Sequence, residues 1–239
     1  MPIVATNIQL DSTEGMDKIT STEKVTSPYF SDGSTELLGS SVVSSSLSGD
    51  NEKYFFGISK TGAATTEEFN VAFGSTNGYG HSVETNTKSE SEAIYKQFAS
   101  MLLTPTEVTG GFFISRNSSL TTAPSEASIT TGKDSEIFIL SSRRTNHKDR
   151  LNKGNWTVAL SGSSTTIAEA SGKLVELTDD SVNDSPISTP AGDRYNIVSG
   201  TLGTVVKAAS VKTYGFYYPD MGIMVFSQQE LTSSITGND

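Results

Sequence analysis

Five cationic side chains cluster in one short stretch of this chain, between positions 143 and 156. One acid, Asp149, lies among them, so the stretch has a formal charge of +4. The whole chain carries −10, which leaves −14 on the remainder. Such an asymmetry suits electrostatic contact with an acidic partner. We term residues 143–156 the cationic segment, and its candidate partner-contact residues are Arg143, Arg144, Lys148, Arg150 and Lys153.

Strand-like sequences flank the cationic segment, residues 136–141 before it and residues 156–161 from its end onward. A connection held at both ends by sheet presents fixed charges to a partner. Copies of the protein would then dock head to tail, the basic loop of one against the acidic face of the next. A solvated loop without function is the plainer alternative. Nucleic acid is a weaker one, since five cations would act against −14 around them.

The usual catalytic signatures are missing from this sequence. Its two histidines, His81 and His147, each stand in a predicted loop with no second His nearby, so we interpret both as solvated. Residues 59–62 match only part of a phosphate-binding loop, because no Gly precedes Lys60 at the required place. We therefore predict a protein that is not an enzyme and that binds no cofactor or small-molecule ligand.

One acidic stretch, residues 179–184, is rich enough in oxygen atoms to suggest loose Ca²⁺ binding. It lacks the Gly and the distal bidentate Glu of a calcium loop, so we predict no metal site. The adjacent Glu67 and Glu68 would point to opposite faces of a strand and are poor partners for paired acid–base chemistry.

Composition favours a β-rich fold with many loops. Charged residues make up 18% of the chain and hydrophobic residues 34%, and Ser, Thr and Gly fill the difference. There is no Cys, so disulfides and thiolate chemistry are excluded. The start of the chain lacks the pattern of a signal peptide, and no apolar window reaches the length of a membrane helix. We therefore expect no membrane partner.

The chain divides into three parts by composition. Residues 1–50 are rich in Ser and Gly and predict an extended arm, with an edge hairpin of the main domain as the equal alternative. Residues 51–230 predict a main domain that is mainly β, a β-sandwich or barrel-like, with one packed amphipathic helix. Residues 231–239 form a polar tail.

The helix is predicted over residues 90–103. Ser89 and Glu92 form a capping box at its start, and Pro105 forbids its continuation. One apolar stripe, expected to pack against the sheet, consists of Ile94, Phe98, Met101 and Leu102.

Runs of β-branched and aromatic residues predict the strands. The clearest hairpin joins residues 214–218 to residues 222–226 through a turn that begins with Pro219 and ends with Gly222. Trp156, the only Trp, begins a strand and is predicted to lie in the core. The other predicted strands are residues 53–58, 69–73, 111–115, 136–140, 156–160, 173–177, 195–198 and 205–208.

Several of these motifs, taken in order, resemble those of a known group of proteins. They are residues 54–59, the turn at residues 73–82, the helix around residues 93–98, the stretch at residues 144–156 and the hairpin at residues 217–223. Together they resemble virion structural proteins of contractile-tailed marine bacteriophages, the cyanophage group included. The similarity covers roughly residues 54–226, and residues 1–50 lie outside it.

The resemblance implies a place in the virion, in a tail or baseplate assembled in the bacterial host cytoplasm. It implies many copies in each particle, contacts with other virion proteins and with copies of itself, and no catalytic residues. The alternatives are a head decoration protein and a receptor- or glycan-binding module of a tail fibre. The glycan alternative needs exposed aromatic side chains, for which Tyr79, Tyr217 and Tyr218 are the candidates. An enzyme that hydrolyses the bacterial cell wall is the least favoured alternative.

Overall fold

The computed structural model describes residues 26–27, 42–46, 55–60, 66–78, 90–114, 133–161, 174–206 and 212–234. This part of the chain is mainly β, as predicted. Its helices are α1 (Glu90–Leu102) and α2 (Gln228–Ser234), and a short 3₁₀ helix covers Arg144–Asn146. The strands are β1 (Thr26–Ser27), β2 (Val42–Ser46), β3 (Phe55–Lys60), β4 (Thr66–Ser75), β5 (Glu136–Ser142), β6 (Arg150–Leu151), β7 (Val158–Ser161), β8 (Leu174–Asp179), β9 (Ile187–Thr189), β10 (Gly192–Thr201), β11 (Thr204–Val205), β12 (Thr213–Tyr218) and β13 (Ile223–Ser227).

One antiparallel sheet, curled into a half-barrel, organises the fold. Its strands follow one another in the order β2-β3-β4-β5-β13-β12-β10-β8-β7, and β9 and β11 both pair with β10. The strands β1 and β6 form a separate parallel pair. Of the two predicted architectures, sandwich and barrel-like, the curled sheet is the barrel-like one.

The described part of the sheet carries a core on each face, because successive residues of a strand point to opposite sides. In β5, Ile137 and Ile139 belong to one core, and Phe138 and Leu140 pack against the other. The same division continues in β13, where Ile223 and Val225 alternate with Met224 and Phe226. Burial on both faces makes these strands continuous apolar runs, and this explains why both were predicted correctly.

Helix α1 covers one face of the sheet, but its buried stripe is rotated from the predicted one. A Cβ on Gly74 of β4 would lie 3.1 Å from the backbone N and Cα of Tyr95, so this glycine lets the helix approach closely. The predicted Ile94, Phe98 and Met101 are only partly buried at the margin of the core. The buried residues are Ser91, Tyr95, Ala99 and Leu102. The predicted cap, Ser89, lies outside the described residues.

The predicted strand at residues 111–115 is wrong as far as the structure describes it, to residue 114. Phe112 and Ile114 are buried, as a strand would place them, but their N–H groups donate to side chains. The Phe112 N–H donates to the Tyr95 hydroxyl at 3.1 Å, and the Ile114 N–H donates to the Asp134 carboxylate at 2.6 Å. Backbone N–H groups that donate to side chains in this way do not need hydrogen bonds to a neighbouring strand.

The second core is rich in aromatic residues and includes part of the cationic segment. Trp156 lies in it, as predicted, with its ring 5.4 Å from that of Tyr217 in an edge-to-face arrangement. Leu151, also from the cationic segment, is 1% exposed. The segment is therefore attached to the fold by burial as well as by its ends.

Two described elements lie near the ends of the predicted main domain. Strand β2, within residues 1–50, pairs with β3 at the edge of the sheet. Helix α2 was not predicted, and it crosses the expected start of the tail at residue 231. The Glu230 N–H donates to the Ser227 hydroxyl at 3.2 Å, so a Ser-x-x-Glu capping box marked this helix in the sequence.

Candidate functional site

The cationic segment crosses one end of the sheet, from the end of β5 to the end of β8. The strands β5, β13, β12, β10 and β8 are neighbours in that order. Four strand spacings of about 4.8 Å give a crossing of roughly 19 Å. Three backbone N–H donors fix its course: Ser142 to the Gly222 carbonyl at 2.9 Å, Leu151 to the Pro219 carbonyl at 3.0 Å and Gly154 to the Asp179 carboxylate at 2.8 Å.

The predicted turn at residues 219–222 supports the middle of this crossing. Gly222 has a φ of 67°, the left-handed conformation expected of it. A Cβ at this position would lie 2.9 Å from the His147 ring. Gly222 is therefore required both by the turn and by the passage of the cationic segment beside it.

The five predicted contact residues have different environments. Lys153 is half-buried, donates to the Tyr195 hydroxyl at 2.5 Å and lies 4.7 Å from the centre of that ring. Arg150 is half-buried in β6, opposite Thr26 of β1. The exposed cations are Arg143, Arg144 and Lys148. The structure thus brings three of the five onto a surface and uses Lys153 within the fold.

His147 is buried, with 7% of its surface exposed, so its interpretation as a solvated loop residue is wrong. Its ring fits against Gly222, and its Nδ1–H donates to the Arg143 carbonyl at 3.3 Å. Burial lowers the pKa of His147 and the Arg144 cation lowers it further, against the opposing effect of that hydrogen bond. The ring is therefore neutral near pH 7 and adds no charge to the surface. His81 lies outside the described residues.

A buried carboxylate accepts a hydrogen bond from the 3₁₀ helix that carries Arg144. Its last residue, Asn146, donates through its side-chain amide to Glu68 of β4 at 3.3 Å. Glu68 is 1% exposed, so this contact lies beneath the cationic surface. The exposed arginines therefore stand on a turn whose position is set by the sheet.

The acidic stretch at residues 179–184 stabilises the loops around it. The Asp179 carboxylate accepts the N–H of Gly154, and also the N–H of Ser181 at 3.1 Å. The Asp180 carboxylate accepts the Asn196 N–H at 2.9 Å and its side-chain amide at 2.8 Å. Nowhere in the described ranges do three His, Asp or Glu side chains come close enough to hold a metal ion.

Asp180 titrates unusually for an aspartate. Burial raises the pKa of Asp180 to about 6; the hydrogen bonds from Asn196 oppose this rise, and the charges of Asp184 and Asp179 add to it. An unfolded Asp has a pKa of about 3.9, so the folded protein holds an extra proton between about pH 4 and about pH 6. The stability that this proton contributes is lost as the pH rises through that window.

Replacement of Asp180 by Asn is expected to remove this pH dependence. Relative to the variant, the free energy of unfolding of the wild type should fall by about 2 kcal/mol as the pH rises from about 4 to about 6.5. Urea unfolding of both proteins at several pH values in that range measures the difference. A difference that stays constant with pH would contradict the raised pKa.

A buried ion pair on the opposite face of the sheet from Tyr195 has no signature in the sequence. Arg194 of β10 donates from Nη1 and Nη2 to the two carboxylate oxygens of Glu107, both at 3.0 Å. Burial raises the pKa of Glu107, but the Arg194 cation and the hydrogen bonds from Thr104 outweigh it and hold that pKa below its usual value. The partners are 87 residues apart, so no local spacing connects them.

The aromatic residues considered for glycan binding are not exposed. Tyr217 and Tyr218 are both 0% exposed, in β12. Burial raises the pKa of the Tyr218 hydroxyl, which lies near Arg194. Tyr79 lies outside the described residues. The structure therefore leaves the glycan alternative without two of its three candidates.

No helix among the described residues is long and apolar enough to span a membrane. Comparison of the chain with protein-family models, with curated proteins and with solved structures finds no match. Function must therefore be inferred from the geometry of the cationic segment and from the buried residues that fix it.

Proposed function

We propose that this protein is a non-enzymatic structural subunit of a bacteriophage tail or baseplate, joined to its neighbours through the cationic segment. The observation that supports this most is the exposed set Arg143, Arg144 and Lys148 on a connection fixed to the end of the sheet. The neighbours are copies of the protein itself and other virion proteins. The tail or baseplate location follows from the resemblance of the motifs at residues 54–226.

A fixed cationic surface suits assembly better than a mobile one. Like charges held close together repel, and an acidic partner relieves that repulsion. Because backbone hydrogen bonds already position the segment, little further ordering is needed when a partner binds. The remainder of the chain carries −14, so another copy of the protein offers an acidic surface.

Reversal of two of the exposed charges is expected to weaken association. The variant Arg143→Glu with Arg144→Glu should associate about tenfold or more weakly than the wild type, because an attraction becomes a repulsion. Sedimentation velocity at roughly 50 mM salt, where screening is moderate, measures the distribution of species. Wild-type association should also decrease at roughly 500 mM salt.

A matched control separates the position of the charges from net charge. Lys96 and Lys133 are exposed outside the cationic segment, and their double change to Glu alters net charge by the same amount. This control should associate as the wild type does. The proposal is wrong if the two double variants behave alike, or if the wild type is monomeric at every salt concentration.

A further inference from the structure

Leu202 occupies a backbone conformation that leucine rarely adopts. Its φ is 46°, and no other non-glycine residue among those described has a positive φ. It is followed by Gly203, with a φ of 75°, in the tight turn between β10 and β11. Such turns normally carry Asn-Gly, because both central residues need positive φ. Leu202 is also 62% exposed, so burial of its side chain does not offset the strain.

A second exposed apolar side chain, Val182, lies beside this turn with 67% of its surface exposed. A Cβ on Gly203 would be 2.8 Å from Val182 Cγ2 and 2.6 Å from the Gly154 carbonyl oxygen. A Cβ on Gly154 would likewise be 2.8 Å from Val182 Cγ2. Because Gly154 and Gly203 lack a side chain, three loops can pack against one another. They are the end of the cationic segment, the loop after β8 and the β10–β11 turn.

We term the exposed side chains of Leu202 and Val182 the apolar tip. Hydrogen bonds fix the turns that carry it. The Leu202 N–H donates to the Thr157 hydroxyl at 3.0 Å, and the Gly203 N–H donates to the Thr178 hydroxyl at 2.9 Å. Asp179 fixes Gly154 from the other side. The two exposed side chains therefore stand on a rigid support, which lowers the entropic cost of binding. Backbone strain at an exposed, rigid position such as Leu202 points to a role in contact with another molecule.

The apolar tip and the exposed cations lie along the same segment, at one end of the sheet. The cationic segment begins beside the β12–β13 turn, where Met221 is 37% exposed, and ends against Val182 and the Leu202 turn. Along this path, cations orient a partner while apolar side chains supply contact area. Two such surfaces facing each other would bring cation against cation, so a symmetric contact is disfavoured.

We propose that Leu202 and Val182 are the apolar anchor by which the cationic end of one copy binds the acidic surface of a second copy, head to tail. This inference rests on the proposed function and specifies its contact. Charge complementarity identifies the occupant, because the chain outside the cationic segment carries −14. A head-to-tail contact generates rings when it closes and filaments when it does not, as a repeating assembly requires.

The substitution Leu202→Asn tests the anchor, because Asn tolerates positive φ and leaves the turn intact. The variant should melt at the same temperature as the wild type or higher, yet associate about tenfold or more weakly in sedimentation velocity. Val182→Thr, which keeps the shape of the side chain and adds a hydroxyl, should also weaken association. Val108→Thr is the matched control, since Val108 is exposed beyond α1, and it should leave association unchanged.

The outcomes separate this inference from the proposed function. If Leu202→Asn and Val182→Thr associate like the wild type while the Arg143 and Arg144 reversal does not, the anchor is wrong and the proposed function stands. If none of these variants differs from the wild type, both are wrong. Should Leu202→Asn lower the melting temperature, Val182→Thr alone decides, and unchanged association of that variant overturns the anchor.

Discussion

Replacement of Arg194 by Met is expected to lower the free energy of unfolding by about 3–5 kcal/mol, because it leaves the Glu107 carboxylate buried without its partner. The Arg194 side chain is 0% exposed and that of Glu107 is 4% exposed, so water cannot replace the lost hydrogen bonds. The guanidinium also lies 4.3 Å from the centre of the Phe216 ring, and methionine retains only part of that contact. Urea unfolding measures the loss.

The double variant Arg194→Met with Glu107→Leu is the control for this prediction. Since it removes both charges together, its loss of stability should be smaller than the sum of the two single losses. A loss below about 1 kcal/mol for Arg194→Met would contradict the prediction.

The Arg194–Glu107 ion pair also predicts how the free energy of unfolding changes at acidic pH. The pKa of Glu107 is lowered in the folded protein, so its contribution is complete above the unfolded value of about 4.3 and is lost as the pH falls through the lower folded value. The stability difference between wild type and Glu107→Gln should therefore shrink only below about pH 4.3.

Replacement of Asp134 by Ala is expected to cost about 3 kcal/mol, because its carboxylate joins two separate parts of the core. Asp134 is 1% exposed, and its two carboxylate oxygens accept the Ile114 N–H and the Ser227 hydroxyl. The substitution leaves both donors buried without their partner, and each costs about 1–3 kcal/mol. It also disturbs Ser227, which caps α2.

The exposed acid Glu176 of β8 provides the comparison for Asp134. Glu176→Ala should change the free energy of unfolding by no more than about 0.5 kcal/mol, as surface substitutions usually do. Equal losses for the two alanine variants in urea unfolding would mean that Asp134 does not have this joining role.

The parts of the fold that were predicted correctly are those set by local pattern. The β12–β13 hairpin follows from apolar runs around Pro219 and Gly222, and α1 follows from a 3.6-residue period that ends before Pro105. Helix α2 was missed although a local signal, the Ser227–Glu230 capping box, was present, and other missed parts depend on distant partners. Residues 111–114 have a strand-like composition, but Tyr95 and Asp134 satisfy their backbone groups instead of a neighbouring strand.

The cationic segment was predictable as a cluster of charge, and its attachment at both ends followed from the flanking strands. The environment of each cation was not predictable, because it depends on residues far along the chain. Lys153 contacts Tyr195, 42 residues away, and the turn that carries Arg144 rests on Glu68, 78 residues from Asn146. The strain at Leu202 becomes visible only from the backbone conformation.

The most direct measurement is zero-length coupling of lysine amines to carboxylates in a mixture of isotope-labelled and unlabelled copies. Cross-links that join a labelled peptide to an unlabelled one report contacts between copies. We expect Lys148 to form such cross-links with acidic residues of a second copy, and the exposed Lys133 to form few of them. If Lys148 forms none between copies, or no more than Lys133, the cationic segment is not the contact between subunits.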